Sequence, residues 1–270
     1  MRKAGWVALA GVLSLAGCAA PAGELARRSA PIDHLPAIAG DYFPIASRAT
    51  GTRYHIYIRY PEGYAASGRR RYPVVYLLDG DSLFPYLAAH HLFLTLDDGL
   101  PEAIVVGIAY GSFAEPVNRR GVDFGEGAAA FQAFLKGELI PEVERRARAD
   151  PERRILVGQS RSGGFVLYSA YSEPDLFWGR IASNPSFPTH RGLLLGPPPV
   201  RAGRRDLRLA VASGTRDRAP IRAGTLEWFE AQARQPGPWR LRRIEIEGGT
   251  HAADMPNAYR RAMGWMFGVP

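Results

Sequence analysis

Residues 154–168 have the sequence Arg-Ile-Leu-Val-Gly-Gln-Ser-Arg-Ser-Gly-Gly-Phe-Val-Leu-Tyr. The segment begins with a short apolar run, which is typical of a strand buried on both faces. It continues through glycine and serine and becomes helix-like from Phe165. A serine at a sharp turn between a strand and a helix is the setting of a nucleophile elbow, whose pattern is Gly-x-Ser-x-Gly. The segment therefore predicts Ser160 as a nucleophile at the end of a buried strand.

One position departs from that pattern, because Ser162 stands where the last glycine is expected. Serine is small, so we interpret the segment as a variant elbow whose helix N-terminus stabilises negative charge beside Ser160. An alternative frame ending at Gly164 makes Ser162 the nucleophile, two residues further from the strand. A Gly/Ser turn without a catalytic role is the remaining alternative.

Strand-like and helix-like segments alternate on both sides of the elbow, from about residue 41. The strand candidates are residues 53–60, 74–78, 103–108, 155–157, 207–212 and 240–246, and the helix candidates are residues 127–148, 165–171, 223–233 and 257–267. This alternation predicts an α/β fold with a mainly parallel central sheet and helices on both faces. Residues 81–99 and 185–205 are interpreted as loops that shape a pocket.

A serine nucleophile needs a base and an acid, which follow it in the order Asp then His in α/β-hydrolase folds. Asp217 comes just after the strand candidate 207–212, and His251 comes just after 240–246. The carboxyl ends of parallel strands lie at one edge of a sheet, so we predict that Asp217 orients His251 and that His251 is the base. Three other carboxylates remain alternatives for the acid: Asp206, Glu247 and Asp254.

Acyl transfer also needs N–H donors for the oxyanion of the tetrahedral intermediate. The residue after the nucleophile supplies one, and a loop after an early strand supplies the other. These rules predict Arg161 and, in the Asp-Gly-Asp turn after residues 74–78, Asp81. An ordinary tight turn is the alternative interpretation of Asp-Gly-Asp.

Composition limits the other classes of function. A single cysteine among 270 residues excludes a disulfide framework and a zinc site built from several cysteines. The formal net charge is +8, but the basic residues are nearly all scattered arginines, which is typical of a base-composition bias. We therefore expect no nucleic-acid partner. No Gly-x-Gly-x-x-Gly joins a strand to a helix and no Walker A lysine is present, so we predict no cofactor and no metal.

The N-terminus predicts a secreted, membrane-anchored protein. Arg2 and Lys3 precede an apolar run that is too short to span a bilayer comfortably and that ends in Leu-Ala-Gly-Cys18. This end resembles the lipobox of bacterial lipoproteins, in which the cysteine is acylated; an ordinary signal cut near Ala20 is the alternative. The predicted organisation is a lipoprotein signal peptide over residues 1–17, a tether over 18–40 and one domain over 41–270. It implies a bacterial cell-envelope location, facing the periplasm or the outer surface.

Over residues 41–268 the chain resembles the α/β-hydrolase esterases of the esterase D type, most of all the periplasmic siderophore esterases of the enterobactin type. The matching segments are Tyr72–Gly80, Ile104–Ile108, Phe131–Pro141, the elbow, Glu173–Gly179, Asn184–Ser186 and Gly248–His251. The family has Gly-His-Ser-x-Gly-Gly at the elbow and Ser-Pro-Ser after the next strand. This chain has Gln159, Ser162 and Asn184 at the departing positions.

The resemblance also implies a role for Arg120, since the family carries an Arg-x-x-Asp-aromatic stretch near its site. Arg120-Gly-Val-Asp123-Phe matches that stretch. We interpret Arg120 as a substrate contact, with a structural pair between Arg120 and Asp123 as the alternative.

Together these features predict a serine esterase that works without a cofactor on a small-molecule ester, of the siderophore type or another polar type. The same acyl-enzyme also suits an acyltransferase that uses an alcohol as acceptor. A binding lipoprotein that kept the fold without catalysis is the alternative from another class, suggested by Gln159 and Ser162.

Overall fold

A computed structural model of the protein describes residues 35–198 and 201–269. The predicted signal peptide, Cys18 and the first part of the predicted tether lie outside the described residues. Among the helices in those two ranges, none is both long enough and apolar enough to cross a membrane. Within the same ranges, no three His, Cys, Asp or Glu side chains cluster as a metal site requires.

The sheet contains eight strands within the described part of the chain. They are β1 Gly40–Ala46, β2 Arg53–Arg59, β3 Tyr72–Leu77, β4 Ile104–Ala109, β5 Ala149–Gln159, β6 Gly179–Ser183, β7 Arg208–Gly214 and β8 Arg240–Ile246. Their order is β1-β2-β4-β3-β5-β6-β7-β8. Strand β2 pairs antiparallel with β1 and β4, and the pairs from β4 to β8 are all parallel. The predicted mainly parallel sheet is confirmed.

Helices cover both faces of this sheet. They are α1 Gly80–Asp97, α2 Arg120–Asp123, α3 Ala128–Phe134, α4 Ile140–Arg146, α5 Arg161–Ser172, α6 Arg191–Leu194, α7 Ala219–Arg234 and α8 Met255–Phe267. Short 3-10 turns lie at Pro36–Ile38, Tyr64–Ala66 and Pro174–Leu176. A π-helical turn, Leu135–Leu139, joins α3 to α4, so the single helix predicted over residues 127–148 is three consecutive segments.

The core lies on both sides of the central strands. Along β3, Val74 and Tyr76 pack with the side chains of α3, α5 and α7, whereas Val75 and Leu77 pack with those of α1 and α8. Successive side chains of a strand point to opposite faces, so a strand covered on both faces must be apolar at every position. This explains why the central strands appear in the sequence as continuous apolar runs.

Two strands, the long helix α1 and the short helices α2 and α6 were not predicted. The edge strand β1 contains Pro44. Proline has no N–H to donate, which an edge strand tolerates because one of its sides has no partner strand. Strand β6 contains Arg180, a buried charge that interrupts its apolar pattern. The prediction of a loop over residues 81–99 is wrong, because α1 occupies most of that segment and accommodates Pro85 in its second turn. The segment 185–205 contains only the short α6 among the residues described.

Candidate active site

Ser160 lies at the turn between β5 and α5 with a backbone φ of 58° and ψ of −119°. A positive φ is costly for a residue with a side chain and is typical of functional turns. The turn is closed by small residues on either side. A Cβ on Gly158 would lie 2.5 Å from the carbonyl carbon of Ser162, and one on Gly164 would lie 2.2 Å from the carbonyl oxygen of Ser186. The elbow therefore needs glycine at these two positions.

The structure brings Ser160, His251 and Asp217 together at the carboxyl edge of the sheet. Oγ of Ser160 lies 2.9 Å from Nε2 of His251, and Nδ1 of His251 lies 2.7 Å from Oδ1 of Asp217. With the proton on Nδ1, the imidazole donates to the carboxylate and accepts from the serine hydroxyl. The side chain of Asp217 is fully buried, which strengthens its electrostatic effect on the imidazole.

None of the three alternative acids takes this position. Asp206 forms ion pairs with Arg153 and Arg204, and the hydrogen bond from Arg204 lowers the pKa of Asp206 to about 2. Glu247 is exposed and accepts a hydrogen bond from Thr215. Asp254 is buried at the start of α8, and its burial, together with the charge of Asp217, raises its pKa.

The predicted oxyanion donors lie in the first turns of two helices. Arg161 is the first residue of α5, and Asp81 is the second residue of α1. N–H groups in a first turn have no partner within their helix, and helix N-termini attract negative charge. The carboxylate of Asp81 serves another purpose, since it accepts hydrogen bonds from the backbone N–H groups of Tyr110 and Gly111 at 2.8 and 2.7 Å.

Ser162 connects the elbow to the start of α1. Its Oγ lies 2.7 Å from Oδ2 of Asp79 and accepts a hydrogen bond from the backbone N–H of Gln159 at 2.9 Å. Asp79 precedes α1 in the left-handed conformation, with a φ of 52°. Ser162 is completely buried and its hydroxyl contacts no histidine, so the geometry does not support Ser162 as the nucleophile.

Arg120 does not pair with Asp123, which was the alternative to a substrate contact. Arg120 forms a bidentate ion pair with Asp79, with Nε and Nη2 donating to the two carboxylate oxygens at 2.8 and 2.9 Å. Asp123 is buried and accepts hydrogen bonds from the hydroxyls of Tyr54 and Tyr110 instead. The two hydroxyls supply the hydrogen-bond partners that a buried carboxyl group requires.

A cavity of about 220 Å³ opens beside the nucleophile. Its lining residues are Asp79, Asp81, Ser82, Phe113, Asn118, Arg120 and Gln159. Phe113 is 79% exposed at the rim, and Nη1 of Arg161 lies close to Gly121 on the same side. Arg120 therefore lines the cavity while it forms an ion pair with Asp79.

Asp79, Phe113 and Asn118 line the cavity and were not among the predicted site residues. Asp79 is the first residue of the Asp-Gly-Asp turn that contains Asp81. Its place two residues before the predicted oxyanion donor could therefore have identified it as a site residue. Phe113 and Asn118 lie on the connection between β4 and α2, where no periodic pattern marks a residue as lining a pocket.

Comparison with known proteins places the chain in one family. The family model described as "Putative esterase" matches residues 47–253. The ferri-bacillibactin esterase BesA of Bacillus subtilis (strain 168) is 30% identical over an aligned length of 178 residues, and the match covers 56% of this chain. The chain spans 60% of the length of that relative.

Solved structures share the fold at lower identity. A BES protein from Bacillus cereus matches with a TM-score of 0.70 and 22% identity, covering 84% of this chain and 94% of that one. The siderophore hydrolase EstB of Aspergillus nidulans matches with a TM-score of 0.72 and 20% identity, with the same coverage of 84% and 94%. Both matches support the α/β-hydrolase architecture of the chain.

Proposed function

Because the chain belongs to the esterase family, we propose that it is a serine hydrolase that cleaves carboxylic esters. The observation that carries this proposal is the continuous hydrogen-bonded series from Ser160 through His251 to Asp217, with distances of 2.9 and 2.7 Å. The family match over residues 47–253 includes all three side chains. No metal or cofactor takes part in the proposed reaction.

In the first step, His251 accepts the proton of the Ser160 hydroxyl through Nε2 while Oγ attacks the ester carbonyl carbon. The negative charge that forms on the carbonyl oxygen is stabilised by the backbone N–H groups of Asp81 and Arg161. Asp217 stabilises the imidazolium that results from the proton transfer. The imidazolium then gives its proton to the departing alcohol, the ester C–O bond breaks, and the acyl group remains on Ser160.

In the second step, water attacks the acyl-enzyme and His251 accepts a proton from that water. The same two N–H groups stabilise the second oxyanion. Its collapse breaks the bond to Oγ, which regains a proton from the imidazolium, and the carboxylic acid leaves. The cycle restores the protonation states of Ser160 and His251, and it converts one ester and one water into an alcohol and a carboxylic acid.

We propose that the substrate is a polar or aromatic ester, of the kind found in siderophores. The exposed ring of Phe113 offers a stacking surface at the cavity rim, and Asn118 offers both a donor and an acceptor. Arg161 forms no ion pair within residues 35–198 and 201–269, so its guanidinium is available to an anionic group. The names of BesA and EstB, a ferri-bacillibactin esterase and a siderophore hydrolase, support this substrate class.

The proposed hydrolysis is tested by p-nitrophenyl ester turnover in the wild type and in Ser160→Ala. We expect loss of turnover in Ser160→Ala and full turnover in the control Ser172→Ala, which removes a hydroxyl from the far end of the same helix. Full activity in Ser160→Ala contradicts the proposal. A panel of esters that includes iron-free and iron-loaded siderophores then ranks the substrates by kcat/KM.

We also propose that Cys18 carries a lipid and anchors the protein in the cell envelope. The proposal is supported by the Leu-Ala-Gly-Cys sequence at the end of the apolar run and by the absence of other cysteines from the chain. Metabolic labelling with a radioactive fatty acid is expected to mark the wild type and to leave Cys18→Ala unlabelled. Equal labelling of both contradicts the anchor.

A further inference from the structure

Two amide side chains hold a single main-chain oxygen beside the proposed base. Nε2 of Gln159 donates to the carbonyl oxygen of His251 at 2.6 Å, and Nδ2 of Asn184 donates to the same oxygen at 2.9 Å. A carbonyl oxygen has two lone pairs, so these donors fill its capacity. No step of the proposed mechanism uses either amide.

Asn184 is fixed on every side. It follows β6 in the left-handed conformation, with a φ of 43°, and it is only 1% exposed. Its Oδ1 accepts a hydrogen bond from the backbone N–H of Gly214 at 2.9 Å, and its Nδ2 also donates to the carbonyl of Thr250 at 3.1 Å. Gly214 is the last residue of β7, from which the chain continues to Asp217. Asn184 therefore joins the segment of the acid to the segment of the histidine.

Gln159 makes the corresponding connection to the nucleophile. It is the last residue of β5 and directly precedes Ser160. The carbonyl oxygen of His251 is consequently bonded directly to the residue before Ser160 and, through Asn184, connected to the segment that carries Asp217.

The histidine segment depends on such contacts because it is a short turn between β8 and α8 with two consecutive glycines. Gly248 has a φ of 70°, a conformation that glycine adopts without cost. Glycine also leaves the unfolded turn more conformational freedom, so ordering the turn in one position requires outside contacts.

We propose that Gln159 and Asn184 are positioning residues for His251. Their amides fix the turn so that Nε2 reaches Ser160 while Nδ1 reaches Asp217. This inference rests on the proposed function, because it assigns a role in the reaction that the triad performs. The two amides meet at one atom, the carbonyl oxygen of His251.

Three variants test this role. Asn184→Gly removes the amide without straining the left-handed backbone. Asn184→Asp keeps the shape and the acceptor for Gly214 but has no N–H to donate. Gln159→Ala removes the other donor. We expect each variant to lower kcat for p-nitrophenyl acetate by roughly 10- to 100-fold, the scale of a misplacement near 1 Å, with KM changed less than about twofold.

The pH profile separates positioning from a general loss of structure. A loss of folded protein lowers kcat/KM equally at every pH, whereas a displaced base changes the shape of the pH profile. We therefore expect the shape of the pH profile of kcat/KM to change in Asn184→Gly and Gln159→Ala, which add no charge. The double variant Asn184→Gly with Gln159→Ala is expected to lose less than the product of the single losses, because both amides hold the same atom.

The exposed Asn257 and Gln235 supply matched controls, and we expect Asn257→Ala and Gln235→Ala to keep the wild-type kcat and pH profile. A wild-type kcat and a wild-type pH profile in both Asn184→Gly and Gln159→Ala overturn the inference, as does a lower melting temperature with both kinetic readouts unchanged. Ser160→Ala is measured alongside. Activity in Ser160→Ala refutes the proposed function, whereas an inactive Ser160→Ala with fully active amide variants refutes the positioning role alone.

Discussion

The two sides of the cavity are built by different means. On the triad side, Ser160, Asp217 and His251 follow the parallel strands β5, β7 and β8, so the main-chain ladders of the sheet set their spacing. On the opposite side, the start of α1 and the connection to α2 are held by the ion pair between Asp79 and Arg120. The comparison teaches that the sheet sets the spacing of the proposed reacting groups, with two side-chain amides holding the His251 turn, whereas the facing wall is held by an ion pair between side chains.

The largest effects are expected on the triad side. We predict that His251→Ala lowers kcat by roughly 10⁵- to 10⁶-fold and that Asp217→Asn lowers it by about 10⁴-fold, because the carboxylate orients the base but does not itself transfer a proton. The measurement is kcat for a p-nitrophenyl ester. His90→Ala is the control, since His90 packs against Tyr259 of α8. A loss in Asp217→Asn below tenfold contradicts the role of this carboxylate.

The bond between Ser162 and Asp79 is the direct connection between the two sides. We predict that Ser162→Ala lowers kcat by about tenfold and the free energy of unfolding by about 1.5–3 kcal/mol, the usual value of a hydrogen bond to a charged group. Both quantities are measured beside the control Ser172→Ala. If kcat of Ser162→Ala equals or exceeds the wild-type value, the connection between elbow and wall has no catalytic importance.

Arg120, on the wall side, and Arg161, which follows Ser160, are expected to behave differently. We predict that Arg161→Ala raises KM for esters with an anionic acyl group about two- to fivefold, the scale of an exposed ion pair, and leaves kcat unchanged. Arg120→Ala, in contrast, is expected both to raise KM and to lower kcat, because it removes the ion pair that holds Asp79. Steady-state kinetics with charged and neutral esters test this, with Arg145→Ala as a distant control. Equal KM values for charged esters in Arg161→Ala and the wild type contradict the assignment.

The smallest expected effect concerns Asp123 beneath the wall. Burial raises the pKa of Asp123, although the hydroxyls of Tyr54 and Tyr110 oppose this. The folded protein therefore binds the proton of the Asp123 carboxyl group more tightly than the unfolded chain does, in which an aspartate has a pKa of about 3.9. Stability from this group is present below that pH and is lost as the pH rises through the folded pKa. We predict that the melting temperature of Asp123→Asn, relative to wild type, increases between pH 4 and 7; a constant difference contradicts this.

The sequence was sufficient for the parts of the site that follow apolar strands. Asp217 and His251 each follow a strand candidate that the structure confirms, and the sheet order then brings both beside Ser160. Asn184 could not be predicted in the same way, because the strand before it contains Arg180 and so lacks a continuous apolar run. That guanidinium is buried against main-chain carbonyls at the end of α5 and in the turn that follows, which no local pattern shows.

The facing wall was harder to predict because its contacts join distant parts of the chain. The partner of Arg120 is Asp79, 41 residues away, whereas the prediction considered the neighbouring Asp123. The helix that begins beside Asp79 was also missed. It contains Pro85 and apolar residues on both faces, including the exposed Tyr86, Phe93 and Leu96, so it has no clear amphipathic period.

The central claim, that Ser160 is the nucleophile, is tested most directly by mapping the site of covalent labelling. The wild-type protein is treated with a fluorophosphonate, digested and analysed by mass spectrometry. The account predicts one adduct, on Ser160, formed at a rate that falls sharply in His251→Ala. An adduct on Ser162 or elsewhere, or rapid ester turnover by a protein that accepts no adduct, would contradict it.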